Sequence, residues 1–82
     1  MRLKVKTIGD GQHPSESVVV LETADGGSEE LIVDKRSISN ETLRIGYPIS
    51  RDGDRLLVEL PRETLRGSWR VWVKQDLVEG LA

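Results

Sequence analysis

Val18-Val19-Val20-Leu21-Glu22-Thr23-Ala24-Asp25-Gly26-Gly27-Ser28-Glu29-Glu30-Leu31-Ile32-Val33 is the stretch that decides the fold class. Its two ends are rich in β-branched residues, which pack well on a pleated surface. Between them stands Asp25-Gly26, a favoured pair for a tight hairpin turn whose central residues need positive φ. The segment therefore reads as a hairpin, with Glu16 to Thr23 running out and Glu30 to Asp34 returning.

Period-two segments flank this hairpin on both sides, and nowhere does a run of eleven or more residues carry a helical stripe. Arg2 to Ile8 alternates Leu3, Val5 and Thr7 with Lys4 and Lys6, and Gly9-Asp10-Gly11 ends it. Lys35 to Asn40 reads as a polar connector. Thr42 to Ile49 places Leu43, Ile45, Tyr47 and Ile49 on one face, and Pro48, lacking an amide donor, marks an edge or strand end. A second Asp-Gly turn at Asp52-Gly53 leads into Arg55 to Leu60. Pro61 to Gly67 has proline at its start and glycine at its end, which predicts a single helical turn. Ser68 to Lys74 is the last clear strand, and the tail from Gln75 to Ala82 carries Leu77, Val78 and Leu81 to dock with.

The expected architecture is all-β: one small domain over residues 1–82, an antiparallel barrel or barrel-like sandwich of five to seven strands. Its helical turn before the last strand gives it the shape of an SH3-like barrel, an analogy of architecture only. The core is expected from Leu3, Val5, Val18, Val20, Ile45, Tyr47, Val58, Leu60, Trp69 and Val71. No internal repeat and no low-complexity tract is evident.

With 82 residues, 37% hydrophobic and 32% charged, the chain holds one core and sits on the globular side of the disorder boundary. It has no cysteine, so thiolate zinc sites, disulfides and cysteine nucleophiles are excluded. With no signal-peptide core at Met1 to Lys6, the expected compartment is the cytoplasm. The longest apolar run, Val18 to Leu21, is too short for a membrane span. Net charge is −2, arising from −4 over residues 1–34 and +2 over residues 35–82, which argues against a general nucleic-acid binder.

No catalytic constellation emerges. The one histidine, His13, stands beside Pro14 in a loop, with no second histidine and no cysteine to complete a metal site. The Asp-Gly pairs lack the spaced series of oxygens that calcium needs. Gly26-Gly27 precedes a strand and not a helix, so it is no phosphate cradle. The expectation is therefore a protein that is not an enzyme and takes neither cofactor nor metal.

One surface stands out. Trp69 and Trp72 are three residues apart, and on a strand an odd spacing puts them on opposite faces. With Trp69, Val71 and Val73 directed to the core, Trp72 points outward between Arg70 and Lys74. Arg62 and Arg66 lie nearby in sequence, so residues 62–74 carry four bases and one acid. An outward tryptophan among cations can stack a base, a proline-rich peptide or a partner's hot-spot residue. The opposing interpretation puts Trp72 in a minor core with Val19, Leu21, Ile32 and Leu57, closed by Leu77, Val78 and Leu81 of the tail, and a third makes it a self-association surface. The leading functional expectation is a non-catalytic interaction module that binds another protein, as a monomer. The alternatives are a nucleic-acid-binding small barrel using Trp72, Arg70, Lys74, Arg62 and Arg66, and a subunit or accessory domain of an enzyme.

Overall fold

A computed structural model describes residues 1–80 and shows an all-β chain with ten short strands in three antiparallel sheets, more than the expected five to seven because the chain changes sheet within expected strands. The strands are β1 (Arg2–Lys4), β2 (Lys6–Asp10), β3 (Glu16–Glu22), β4 (Ser28–Asp34), β5 (Ile38–Ser39), β6 (Thr42–Arg44), β7 (Ser50–Asp52), β8 (Arg55–Glu59), β9 (Arg70–Lys74) and β10 (Val78–Glu79). Two sheets are meanders, β2-β3-β4 and β7-β8-β9, and the third has the order β10-β1-β6-β5. No helix among the described residues is long and apolar enough to cross a membrane.

The anticipated hairpin is present, with β3 pairing β4 over seven register pairs from Glu16↔Asp34 to Glu22↔Ser28. Gly26 turns the corner at φ 90°, a conformation that favours glycine. Asp25 secures the turn by accepting from the Thr23 hydroxyl and, at 3.0 Å, from the Gly27 amide. The second Asp-Gly turn joins β7 to β8, with Gly53 at φ 63°.

Several expected elements are corrected. Arg2 to Ile8 is two strands, because the chain leaves one sheet for another at Val5, whose amide donates to Glu41 O at 3.0 Å. Thr42 to Ile49 is a strand only as far as Arg44. Ile45 N still bonds Met1 O at 2.9 Å, but Gly46 and Pro48 follow and Tyr47 stands 83% exposed, not in the core. Pro61 to Gly67 is not helical. Thr64 is buried there, and Leu65 N donates to Glu30 O at 2.8 Å, tying the loop along the edge of β4. Single 3₁₀ turns occur instead at Lys35–Ser37 and Gln75–Leu77. The presumed connector Lys35 to Asn40 contains the first of them and β5. The tail docks as expected, with Arg2↔Glu79 and Leu3↔Val78 in register; Leu81 and Ala82 lie outside the described residues.

A further correction concerns repetition. Exchanging β1–β5 with β6–β10 maps the order β10-β1-β6-β5 onto itself reversed, so the sheet has a pseudo-two-fold axis at the Leu3↔Leu43 pair. The hydrogen bonds repeat with it. Val5 N to Glu41 O matches Ile45 N to Met1 O, and Lys35 N to Ser15 O matches Gln75 N to Asp54 O, the last two both 2.8 Å. Thr23-Ala24-Asp25-Gly26 and Thr64-Leu65-Arg66-Gly67 form the same turn, closed from Gly26 N to Thr23 O and from Gly67 N to Thr64 O. The chain is thus two interlocked halves. Each lends its first strand to the other half's last, through the pairs β1·β10 and β6·β5.

Both halves fill one core, with Leu3, Val19, Leu21, Leu31 and Val33 from the first meeting Leu43, Leu56, Val58, Leu60 and Val73 from the second. On β3 the core face is Ser17, Val19 and Leu21, so Val18 and Val20 are half-buried outside it, opposite to the expectation. An unbroken apolar run carries no phase of its own, and the pairing with β4 sets it.

Candidate interaction surface

On the meander β7-β8-β9 the core side carries Leu56, Val58, Val71 and Val73. Alternation along the strands leaves Arg55, Leu57 and Glu59 of β8, with Arg70, Trp72 and Lys74 of β9, on the outer face. Cross-strand pairing sets them in three rows, Glu59↔Arg70, Leu57↔Trp72 and Arg55↔Lys74. Trp72 lies in the middle row against half-buried Leu57 and remains 38% exposed. The ring is therefore more covered than open, and among the described residues the tail's Val78 belongs to the main core and not to this face. Leu77 also packs against the main core.

The site is walled on one side by the other half of the molecule. Ala24 N donates to Trp72 O at 2.8 Å, so the 23–27 turn caps the β9 edge. A cleft of about 380 Å³ opens between that turn and the sheet, lined by Asp25, Asp52, Arg55, Arg70 and Trp72 among others. The Asp25 carboxyl is held below its ordinary value, first by the Thr23 hydroxyl and then by the Gly27 amide, with a smaller contribution from the Arg55 charge. It faces the cleft as an anion.

The expected cations do not all meet at Trp72. Arg70 and Lys74 share its face, but Arg70 Nε is already 3.2 Å from Glu59 Oε2. Arg62 is committed on the opposite meander, with Nη1 3.2 Å from Glu16 Oε2 and 3.4 Å from Ile32 O. Arg66 reaches Glu29 Oε2 at 3.5 Å, and Glu29 also accepts from the Thr64 hydroxyl at 2.7 Å. Among the described residues no carboxylate lies within ion-pair distance of Lys74 or of Arg55. Arg55 was missed from the sequence, although the register of the Asp52-Gly53 hairpin against β9 could have placed it opposite Lys74.

Trp69 is the second correction. It lies one residue before β9, its carbonyl accepting from Leu60 N at 2.8 Å, and its side chain is 54% exposed. The strand begins only at Arg70, so its period of two does not reach Trp69. Trp69 lines a trough with Leu65, Ile32, Pro61 and His13. This trough is the pseudo-symmetric counterpart of the Trp72 cleft, with Ile32 in the place of Trp72 and Glu16 in the place of Arg55. His13 is exposed at its rim, and among the described residues no three His, Cys, Asp or Glu side chains gather to hold a metal.

Comparison of the chain with protein-family models, with curated proteins and with solved structures returns no match in any of the three.

Proposed function

We propose that the chain is a non-catalytic module that binds another protein through the outer face of β7-β8-β9, centred on Trp72. The observation that carries this reading is the pairing Leu57↔Trp72, which leaves a tryptophan 38% exposed in the middle of an ordered sheet face. Such a ring offers large contact area at low entropic cost, which is why tryptophan is enriched at binding hot spots. Arg55, Lys74, Asp25 and Asp52 around it give a mixed-charge rim suited to a polar protein edge. The engagement of Arg62, Arg66 and Arg70 with carboxylates argues against the phosphate-binding alternative, which needs cations in reserve.

The finer architecture proposed is of the SH3-like kind. In its favour, each half runs as a meander, a 3₁₀ turn and a short closing strand, with the first strands exchanged. The module is further proposed to act in the cytoplasm, with the monomer as its closed form. Affinity capture with wild-type and Trp72→Ala baits tests the function. A protein partner retained by the first, lost by the second and insensitive to salt between about 50 and 200 mM supports it. A ligand that binds both baits equally, or a nucleic acid released steeply by salt, refutes it.

A further inference from the structure

Two features meet at the link between the halves. Residues 1–39 and 42–80 are joined only through Asn40 and Glu41, which connect β5 to β6 with φ of 51° and 57°. Asparagine tolerates the left-handed region, whereas a glutamate there is strained. The second feature is the pseudo-two-fold interlock itself. Everything one half offers the other is available, atom for atom, on the same half of a second chain. That includes the register pairs of β1 with β6 and β10, the pairs of β5 with β6, and the bonds Ala24 N to Trp72 O and Leu65 N to Glu30 O.

We propose that a second copy of this chain is a partner, taken up by exchange of halves about the hinge Asn40–Glu41. On opening, the two residues adopt ordinary extended backbone and β5 continues straight into β6. Residues 1–39 of one copy then interlock with residues 42–80 of the other, and the reciprocal pair forms at the same time. The product is a closed two-fold dimer that keeps every inter-half contact and loses the strain at Glu41. A short strained connection between complementary parts is what favours such an exchange, and the dimer's formation depends on concentration.

The absence of cysteine makes the exchange directly readable. Arg2 and Arg44 are register partners. Because the odd-numbered pairs 5/41 and 1/45 carry the hydrogen bonds, Arg2 and Arg44 form a non-hydrogen-bonded pair. Their Cα atoms then approach to about 4.5 Å, within disulfide reach. The Arg2→Cys/Arg44→Cys chain is unfolded, refolded at micromolar and at millimolar concentration, sized by gel filtration and oxidised. The dimer fraction from the concentrated sample should yield covalently joined chain pairs on a non-reducing gel, while the monomer fraction closes within single chains. In the otherwise wild-type protein, Glu41→Gly should lower the dimer association constant about 25-fold, the square of about fivefold for each hinge whose strain glycine removes. This arm stands alone if the double-cysteine chain does not fold. A dimer that oxidises only within chains, no dimer at either concentration, or equal association constants for wild type and Glu41→Gly overturns the proposal.

Discussion

Trp72→Ala should destabilise the fold by about 2 kcal/mol. Truncating a fully buried Trp costs about 3–5 kcal/mol. Trp72 keeps 38% of its surface in water, so roughly three-fifths of that loss applies, and it falls mainly on the contact with Leu57. Because the ring lies outside the main core, no sealed cavity forms and the lower part of the range is appropriate. A domain of this size has about 5 kcal/mol to lose, so the variant stays folded at 25 °C with a reduced margin. Urea titration followed by far-UV circular dichroism should show the midpoint falling by roughly 2 M for a denaturant slope near 1 kcal/mol/M, with the slope unchanged. A loss above about 4 kcal/mol would mean that this face is a closed second core and not a contact surface. A loss below about 0.5 kcal/mol would mean that the ring packs against nothing.

The same titration checks three further expectations. Leu43→Ala, at the pseudo-two-fold pair with Leu3 and fully buried, should cost about 2–5 kcal/mol and leave the chain close to unfolded; a variant of near wild-type stability would contradict the shared core. Trp69→Ala should cost less than about 1.5 kcal/mol, since its ring is more open than that of Trp72; a loss larger than that of Trp72→Ala would reverse the assignment. Thr64→Val should cost about 1–2 kcal/mol, because it removes the hydroxyl that donates to Glu29 and accepts from Ser68 N; an unchanged midpoint would show that these bonds are made equally well by water. Asp25 and Asp34 both titrate below their ordinary value of 3.8 in the folded chain, Asp25 first through Thr23 and Asp34 first through Arg36. Their contribution is therefore present above that value and lost as pH falls through it toward the folded values. Asp25→Asn should flatten the acid limb of the stability profile there, and an unaltered limb would count against the Thr23 and Gly27 bonds.

Much of the chain was legible because its turns are chemically explicit. Asp25-Gly26 and Asp52-Gly53 fixed both hairpins, and alternation placed Leu3, Val5, Ile45, Val58, Leu60 and Val71 in the core. What failed was phase. Val18 to Leu21 is apolar on both faces, so only the pairing with β4 could choose Val19 and Leu21. Tyr47 and Trp69 lie beyond the ends of β6 and β9, where the backbone no longer alternates. The duplication stayed hidden because its spacing slips. Leu3/Leu43 and Val33/Val73 are 40 apart, Val19/Val58 and Leu21/Leu60 are 39 apart, and Thr23/Thr64 and Gly26/Gly67 are 41 apart. No fixed period survives such shifts, and few identities remain. At the candidate site, Trp72 with Arg70 and Lys74 followed from one strand's own alternation. The removal of Arg62 and Arg66 to Glu16 and Glu29 depends on how the 61–69 loop crosses to β3 and β4, which local pattern cannot reveal.

The interlock of two halves around one core underlies the cleft beside Trp72, the capping of the β9 edge and the exchange at Asn40–Glu41. Native-state amide hydrogen exchange at Val5 and Ile45 tests it most directly, because Val5 donates across the pseudo-two-fold axis to Glu41 O of the hinge and Ile45 to Met1 O of the other half. The bonds can open only when the halves separate, and the core then opens with them. The two amides should therefore exchange with the same opening free energy, equal to that of global unfolding in urea and falling with the same denaturant slope. Fast exchange at both sites, or two different opening free energies well below the global value, would show that the halves part independently and would contradict the interlocked fold.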